Sequence, residues 1–332
     1  MLRRLIPLLQ YVFFLGLGIV LIWWQWHSMT AEDKAIFFAA LKKANYWLLL
    51  PVAAIALSSH LSRSLRWQLL LEPLHYKPSL KLLFTCTMIG YLVNSVLPRV
   101  GEIMKCTLVA KKDKVKVDQL IGTIIVERIF DLLCFIIFIG ITLLIQIEFV
   151  GDIIWKELGR VNEQSDLPWG TKPILIVLFI LLLYWGFKKL LRKFPQHFLI
   201  KKLQLFLHGI KEGAATIRQL KKRKAFLGHT LFIWLMYLLQ IFVAFYAMPE
   251  TASLHFATAF SVLSFASLSM IVTPGGIGSF PIFVMQILMM YGISSPVGRA
   301  FGWLMWGAST MIIILAGCVS LIVYPYLKNN KS

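Results

Sequence analysis

The sequence predicts an all-α polytopic membrane protein, with six transmembrane helices and two opposed re-entrant helical hairpins arranged as an inverted repeat. Three observations carry this. Apolar windows of about 20 residues, the length that crosses about 30 Å of hydrocarbon, recur along the chain. Two further apolar regions are interrupted by Pro and Gly, so that each half is too short to cross alone. Basic residues then fall on one side of the resulting topology. The composition agrees: 58% of the 332 residues are hydrophobic and the mean hydropathy is +0.75, against about 45–50% apolar residues in soluble domains.

The first span is 5–26, in MLRRLIPLLQYVFFLGLGIVLIWWQWH. Its positive start resembles a signal peptide, but no small-x-small cleavage site follows. Trp23, Trp24 and Trp26 follow instead, as an interfacial belt, so an uncleaved span is expected. The other spans are 45–70, 118–147, 173–191, 226–248 and 299–326. The stretch between the first two counts as an outside loop. Region 80–110 breaks at NSVLPRVGE and region 254–292 breaks at TPGGIG. Each is read as two half-helices returning to the side they left, because unwound backbone persists at membrane depth only when buried in protein or lining a wet cavity. A single domain, 1–332, results. Its first half, 1–147, carries hairpin 80–110, and its second half, 173–328, carries hairpin 254–292. The halves repeat one order of elements in opposite orientation, a topology in which the substrate site lies between the hairpin tips.

The net charge of +19 follows from this topology. With both termini cytoplasmic, segments 1–4, 63–81, 105–118, 188–224 and 328–331 hold 25 of the 34 Lys and Arg residues. The outside loops are nearly neutral, and loop 148–171 is acidic. That is the positive-inside bias of a bacterial-type cytoplasmic membrane protein. It accounts for the basic chain without nucleic acid, which is not expected as a partner. In 196–222, Leu199, Leu203, Phe206, Ile210, Gly213, Ile217 and Leu220 form a stripe at spacings of three and four, with Lys201, Lys202, Lys211 and Arg218 off it. The reading is an anchoring helix on the inner leaflet, with binding of anionic inner-leaflet lipids as its functional alternative. Cys86, Cys106, Cys134 and Cys318 show neither CxxC nor metal spacing, so no disulfide, metal or cofactor is expected.

The chemistry lies in charges at membrane depth, each costing about 2.5–3.5 kcal/mol on the insertion scale. Arg99 and Glu102 follow Pro98 in the first break, and Glu127, Arg128 and Asp131 lie inside the third span. Glu127 and Asp131 share a helix face, and Arg128 reaches Asp131. These residues either pair internally, Arg128 with Asp131 and Arg99 with Glu127 or Glu102, or hold an anionic headgroup; one arrangement permits both. Arg63 is read as snorkelling to the inner interface, and Arg66 stays open as a headgroup contact. The second break offers no charge, only Thr273, neighbouring serines and the backbone of Gly275, Gly276 and Gly278. The helix that follows would present free N–H groups to an anion. No HExxH, GxSxG or other catalytic constellation appears, and an enzyme is not expected.

Taken together, RSLRW (63–67), NSVLPRVGE (94–102), VERIFDLL (126–133) and TPGGIGSF (273–280) resemble the lysylphosphatidylglycerol synthase transmembrane, or flippase-like, family. Its patterns are Arg-x-x-Arg-Trp, Asn-x-x-Leu-Pro-x-Arg-x-Gly-Glu, Glu-Arg-x-x-Asp and Pro-Gly-Gly-x-Gly. This resemblance adds Asn94 to the candidate site. Two departures stand out: Arg99 follows Pro98 directly, and Pro281 stands where an acidic residue is often found. The resemblance implies a domain that moves an anionic, aminoacylated or polyprenyl-linked lipid. In bifunctional members a separate soluble domain makes the lipid, and that synthase activity is not expected here. The alternative is a non-transporting component or enzyme of a lipid or isoprenoid-phosphate glycosylation or modification pathway. The expected partner is thus a membrane phospholipid or polyprenyl-linked lipid, with oligomeric state open.

Overall fold

A computed structural model of the chain describes residues 2–113, 115–146 and 220–327, together with residues 178 and 185. The expected span 173–191, loop 148–171 and amphipathic helix 196–222 fall wholly or almost wholly outside the described residues.

Among the described residues ten α-helices follow in order: α1 (Leu2–His27), α2 (Ala31–Lys43), α3 (Leu49–Leu71), α4 (Leu80–Val96), α5 (Val100–Asp113), α6 (Val117–Ile145), α7 (Arg223–Phe245), α8 (Phe256–Val272), α9 (Ser279–Met290) and α10 (Ser295–Val323). There is no strand among the described residues. Among the described residues four helical stretches are long and apolar enough to cross a membrane: Tyr46–Leu74, Val117–Ile145, Arg223–Phe245 and Ser295–Tyr326. They coincide with four of the expected spans. The first expected span is one continuous helix, α1, with an apolar stretch over Phe13–His27.

Helix α2 is not expected from the sequence, where 27–44, between the first two spans, reads as an outside loop. Its signals are local. Thr30 accepts from the Asp33 backbone N–H at 3.1 Å, and Asp33 accepts from the Thr30 N–H at 3.0 Å, a reciprocal capping box. Glu32 and Asp33 sit in the first turn and Lys42 and Lys43 in the last, each complementing the helix dipole. The backbone and hydroxyl hydrogen bonds from Thr30 hold the Asp33 carboxyl below its usual range.

Both broken regions fold as two short helices that pack on each other, α4 on α5 and α8 on α9. The breaks share a local design. Each follows a helix of 17 residues. Each passes through one extended residue, Leu97 (φ −127°) or Thr273 (φ −132°), as the residue before a proline prefers. Pro98 or Pro274 comes next, and then a left-handed residue, Arg99 (φ 71°) or Gly275 (φ 62°). Glycine takes that conformation freely, whereas for arginine it costs about 1–2 kcal/mol. At the first break, Asn94 accepts from the Gly101 N–H at 2.8 Å, satisfying a donor at the start of α5. The backbones approach so closely that a Cβ on Gly101 would collide with the Gly90 carbonyl and with Asn94.

The second break is tied to both α1 and α10. Gln25 Nε2 donates to the Gly278 carbonyl at 2.8 Å, the Trp306 indole donates to the Gly275 carbonyl at 2.9 Å, and Arg299 donates to the Gln25 carbonyl at 2.6 Å. The end of α1 is thereby stapled to α10. Pro281, in the first turn of α9, lies under Gly302 of α10, where a Cβ would meet the Pro281 Cα at 2.7 Å.

The buried apolar residues form two clusters. One joins α2, α7, α8, α9 and α10 with Phe138 of α6. The other joins α3, α4, α5 and α6 with Phe226 of α7. Replacing Gly101 by alanine is expected to lower stability by about 1–3 kcal/mol, because backbone must shift. Gly122→Ala, on α6 with nothing within 4 Å of the new methyl, is expected to leave stability equal or higher. Thermal unfolding in detergent measures both.

Candidate functional site: a charged layer and its groove

The polar layer lies where three helices pass from one apolar cluster to the other. Along α3 it holds Arg63 and Arg66, just before Trp67, Leu70 and Leu71 of the second cluster. Along α6 it holds Glu127 and Asp131, between Leu120 and Ile124 on one side and Phe138 on the other. Along α7 it holds Thr230 and Tyr237, between Phe226 and Leu238. The spacings of three, four and seven residues put each pair on one helix face.

Asp131 is gripped from both sides. Arg63 Nη1 donates to Oδ2 at 2.7 Å, and Arg66 Nη2 donates to Oδ1 at 2.8 Å. Arg63 also donates to the Tyr237 hydroxyl at 2.8 Å, and Arg66 to Thr230 Oγ1 at 3.2 Å. Glu127 receives Lys105 Nζ from α5 at 3.3 Å and lies 3.6 Å from Arg66 Nε. Side-chain exposure of Arg66 and Glu127 is 0%. Aromatic faces close the layer: Lys105 Nζ sits 4.4 Å from the Trp67 ring centre, and the Arg66 guanidinium 5.6 Å from that of Phe226. The Trp67 indole donates to Thr123 at 2.8 Å.

A second, more open tier continues toward the first break. Arg128 Nε lies 3.3 Å from Glu102 of α5, and its Nη2 lies 3.5 Å from Asp131. The Arg128 side chain is 44% exposed. Arg99, Glu102 and Arg128 are the charged residues that line a largely apolar groove of about 490 Å³. Its walls are aliphatic: Ile103 from α5, and Ile121, Ile124, Ile125, Ile129 and Leu132 from α6.

Several expectations change. Arg63 does not snorkel: it is buried against Asp131 and Tyr237, because a carboxylate on α6 lies nearer than water. Arg99 pairs with neither Glu127 nor Glu102, since Lys105 and Arg66 hold the first and Arg128 holds the second. The expected Arg128–Asp131 pair forms, alongside the Arg128–Glu102 pair. Asn94 acts on the backbone of the break. Thr273, Gly275, Gly276 and Gly278 stand apart from the groove. Thr273 donates to the Ile277 carbonyl at 2.9 Å, and the N–H groups of Gly276 and Ile277 close the turn's own hydrogen bonds.

The residues missed are Arg63, Lys105, Thr230 and Tyr237. Arg63 had a signal, its place three residues from Arg66 on a face shared with Ser59 and Ser62. Lys105, three residues after Glu102, had been counted among the cytoplasmic charges. Among the described residues no three His, Cys, Asp or Glu side chains converge to hold a metal ion.

Two variants separate scaffold from groove. Asp131→Ala leaves two buried arginines without their carboxylate and is expected to cost about 3–5 kcal/mol in thermal unfolding. Arg99→Gly relieves a left-handed arginine, so unfolding is expected at an equal or higher temperature.

The family described as lysylphosphatidylglycerol synthase TM region matches residues 9–317. A curated relative, the UPF0104 membrane protein MJ1078 of Methanocaldococcus jannaschii, is 24% identical over 205 residues, which cover 60% of this chain and 80% of the relative. No solved structure matches the chain. The family match takes in the charged layer, the groove and both breaks, and the chain belongs to the lysylphosphatidylglycerol synthase TM region family of membrane proteins.

Proposed function

We propose that the chain is a flippase-like lipid transporter of a cytoplasmic membrane, moving an anionic phospholipid or polyprenyl-linked lipid between leaflets. The observation that carries this is the groove between α5 and α6. It places two arginines, Arg99 and Arg128, beside a wall of isoleucines. A phosphate at the arginines takes charge-assisted, bidentate hydrogen bonds, while an acyl or prenyl chain lies along Ile121, Ile125 and Leu132.

The alternating-access reading draws on the matched breaks. A 17-residue helix, an extended residue, a proline and a left-handed residue occur in both regions. This favours two re-entrant hairpins related as an inverted repeat, within a topology of six spans and cytoplasmic termini. Movement of α5 against α6 needs the Arg128–Glu102 contact to open, and a headgroup phosphate competes for that same guanidinium. Covalent chemistry is not part of the proposal: Glu127 and Asp131, the natural acid and base, are both committed to cations.

Purified protein in liposomes is expected to speed the crossing of a fluorescent anionic lipid. Arg128→Ala and Arg99→Gly are each expected to slow it by about tenfold or more, since a hydrogen bond to a charged group contributes about 1.5–3 kcal/mol. The lipid should be recovered with its mass unchanged. Absence of crossing with the wild-type chain, or a covalently altered lipid, contradicts the reading.

A further inference from the structure

The charge balance of the site narrows its ligand. Arg99, Glu102, Glu127, Arg128 and Asp131 alone are anionic by one charge. The fold brings Arg63, Arg66 and Lys105 into contact with them. The assembled site then has five cationic side chains against three carboxylates, an excess of two positive charges. One excess charge lies in the buried layer behind the groove, where three cations face two carboxylates, and the other lies at the groove itself. Asp131 and Glu127 are engaged by Arg63, Arg66 and Lys105, Glu102 holds Arg128, and among the described residues Arg99 has no ion-pair partner. Its backbone is held left-handed at φ 71°, and its side chain lines the groove. Charges a few ångströms apart in a partly desolvated site interact far more strongly than in bulk water. Two uncompensated positive charges therefore favour a ligand that brings two negative ones.

Resting on the reading of this groove as the lipid site, we propose that its ligand is a lipid phosphomonoester, with the phosphate at the chain end and carrying close to two negative charges. Such a group has about −1.5 to −2 charge at pH 7 and three terminal oxygens. It neutralises the excess and offers acceptors to both Arg99 and Arg128. A phosphodiester brings one charge and two free oxygens. A cationic aminoacylated headgroup adds to the excess. The aliphatic wall of Ile103, Ile121, Ile125, Ile129 and Leu132 selects the lipid form over free phosphate.

Binding to the full chain in nanodiscs or detergent tests this at pH 7.5, with phosphatidic acid and phosphatidylglycerol of identical acyl chains. The wild-type chain is expected to bind phosphatidic acid about tenfold more tightly. Arg99→Gly removes one positive charge and is expected to bring the two lipids within about twofold of each other. Glu102→Gln is expected to tighten phosphatidic acid. Inorganic phosphate at millimolar concentration is expected not to displace the lipid. Equal or tighter binding of phosphatidylglycerol by the wild type overturns the proposal, as does a preference unchanged in Arg99→Gly. Displacement by inorganic phosphate at the lipid's own affinity overturns the lipid source. These outcomes are separate from transport: phosphatidylglycerol that binds and crosses equally well ends the phosphomonoester assignment and leaves the transporter reading standing.

Discussion

The grip of Arg63 and Arg66 on Asp131 is the contact on which the rest of the structure depends. It ties α3 to α6 at 2.7 and 2.8 Å and extends to α7 through Tyr237 and Thr230. It reaches α5 through Glu127 and Lys105. Charges at this depth are costly to desolvate, and a buried pair seldom repays that cost beyond what a well-packed apolar pair would give. The layer therefore makes poor sense as a stabiliser alone. It makes better sense as a register mark, because no sliding of α3 along α6 keeps both arginines on one carboxylate.

The same layer accounts for the character of Arg128. Asp131 and Glu127 are already neutralised by three cations from α3 and α5, so the additional arginine on α6 is left half in the open, with Glu102 at 3.3 Å and Asp131 at 3.5 Å. Arg99 is placed at the groove by a conformation that arginine adopts at a cost and that the second break gives to Gly275. Strain of this sort persists only where the surroundings over-determine it. Here Pro98, the extended Leu97 and the Asn94 bridge to Gly101 do so. The second break, by contrast, satisfies its own carbonyls with Thr273, Gln25 and Trp306. One break displays charge to a groove, and the other is tied by hydrogen bonds to α1 and α10.

Much of this was legible from residues alone. Long apolar runs marked four of the spans, and Pro with Gly marked both breaks, because each signal is local and the membrane enforces it. Asp131, Glu127 and Arg128 stood out since charge inside an apolar run has no other explanation. What escaped was relational. Arg63 resembled any arginine near a span's end, and only the packing of α3 on α6 turns it inward. Lys105 lay in a basic stretch, where the positive-inside bias masked it. Their absence made the site look anionic, and their presence reverses its sign. Thr30 and Asp33 spelled out the start of α2 in plain capping chemistry, but a loop between two spans was the competing reading and concealed it.

The central claim is that the assembled layer carries positive charge and keeps an anionic, phosphate-bearing lipid against Arg128. Mass spectrometry of the lipids retained by gently purified wild-type protein measures it most directly. The account predicts an anionic phospholipid or phosphorylated prenyl lipid bound to the wild-type chain and lost from Arg128→Ala at unchanged thermal stability. Retention of only zwitterionic or cationic aminoacylated lipids, to the same extent in both proteins, would contradict it.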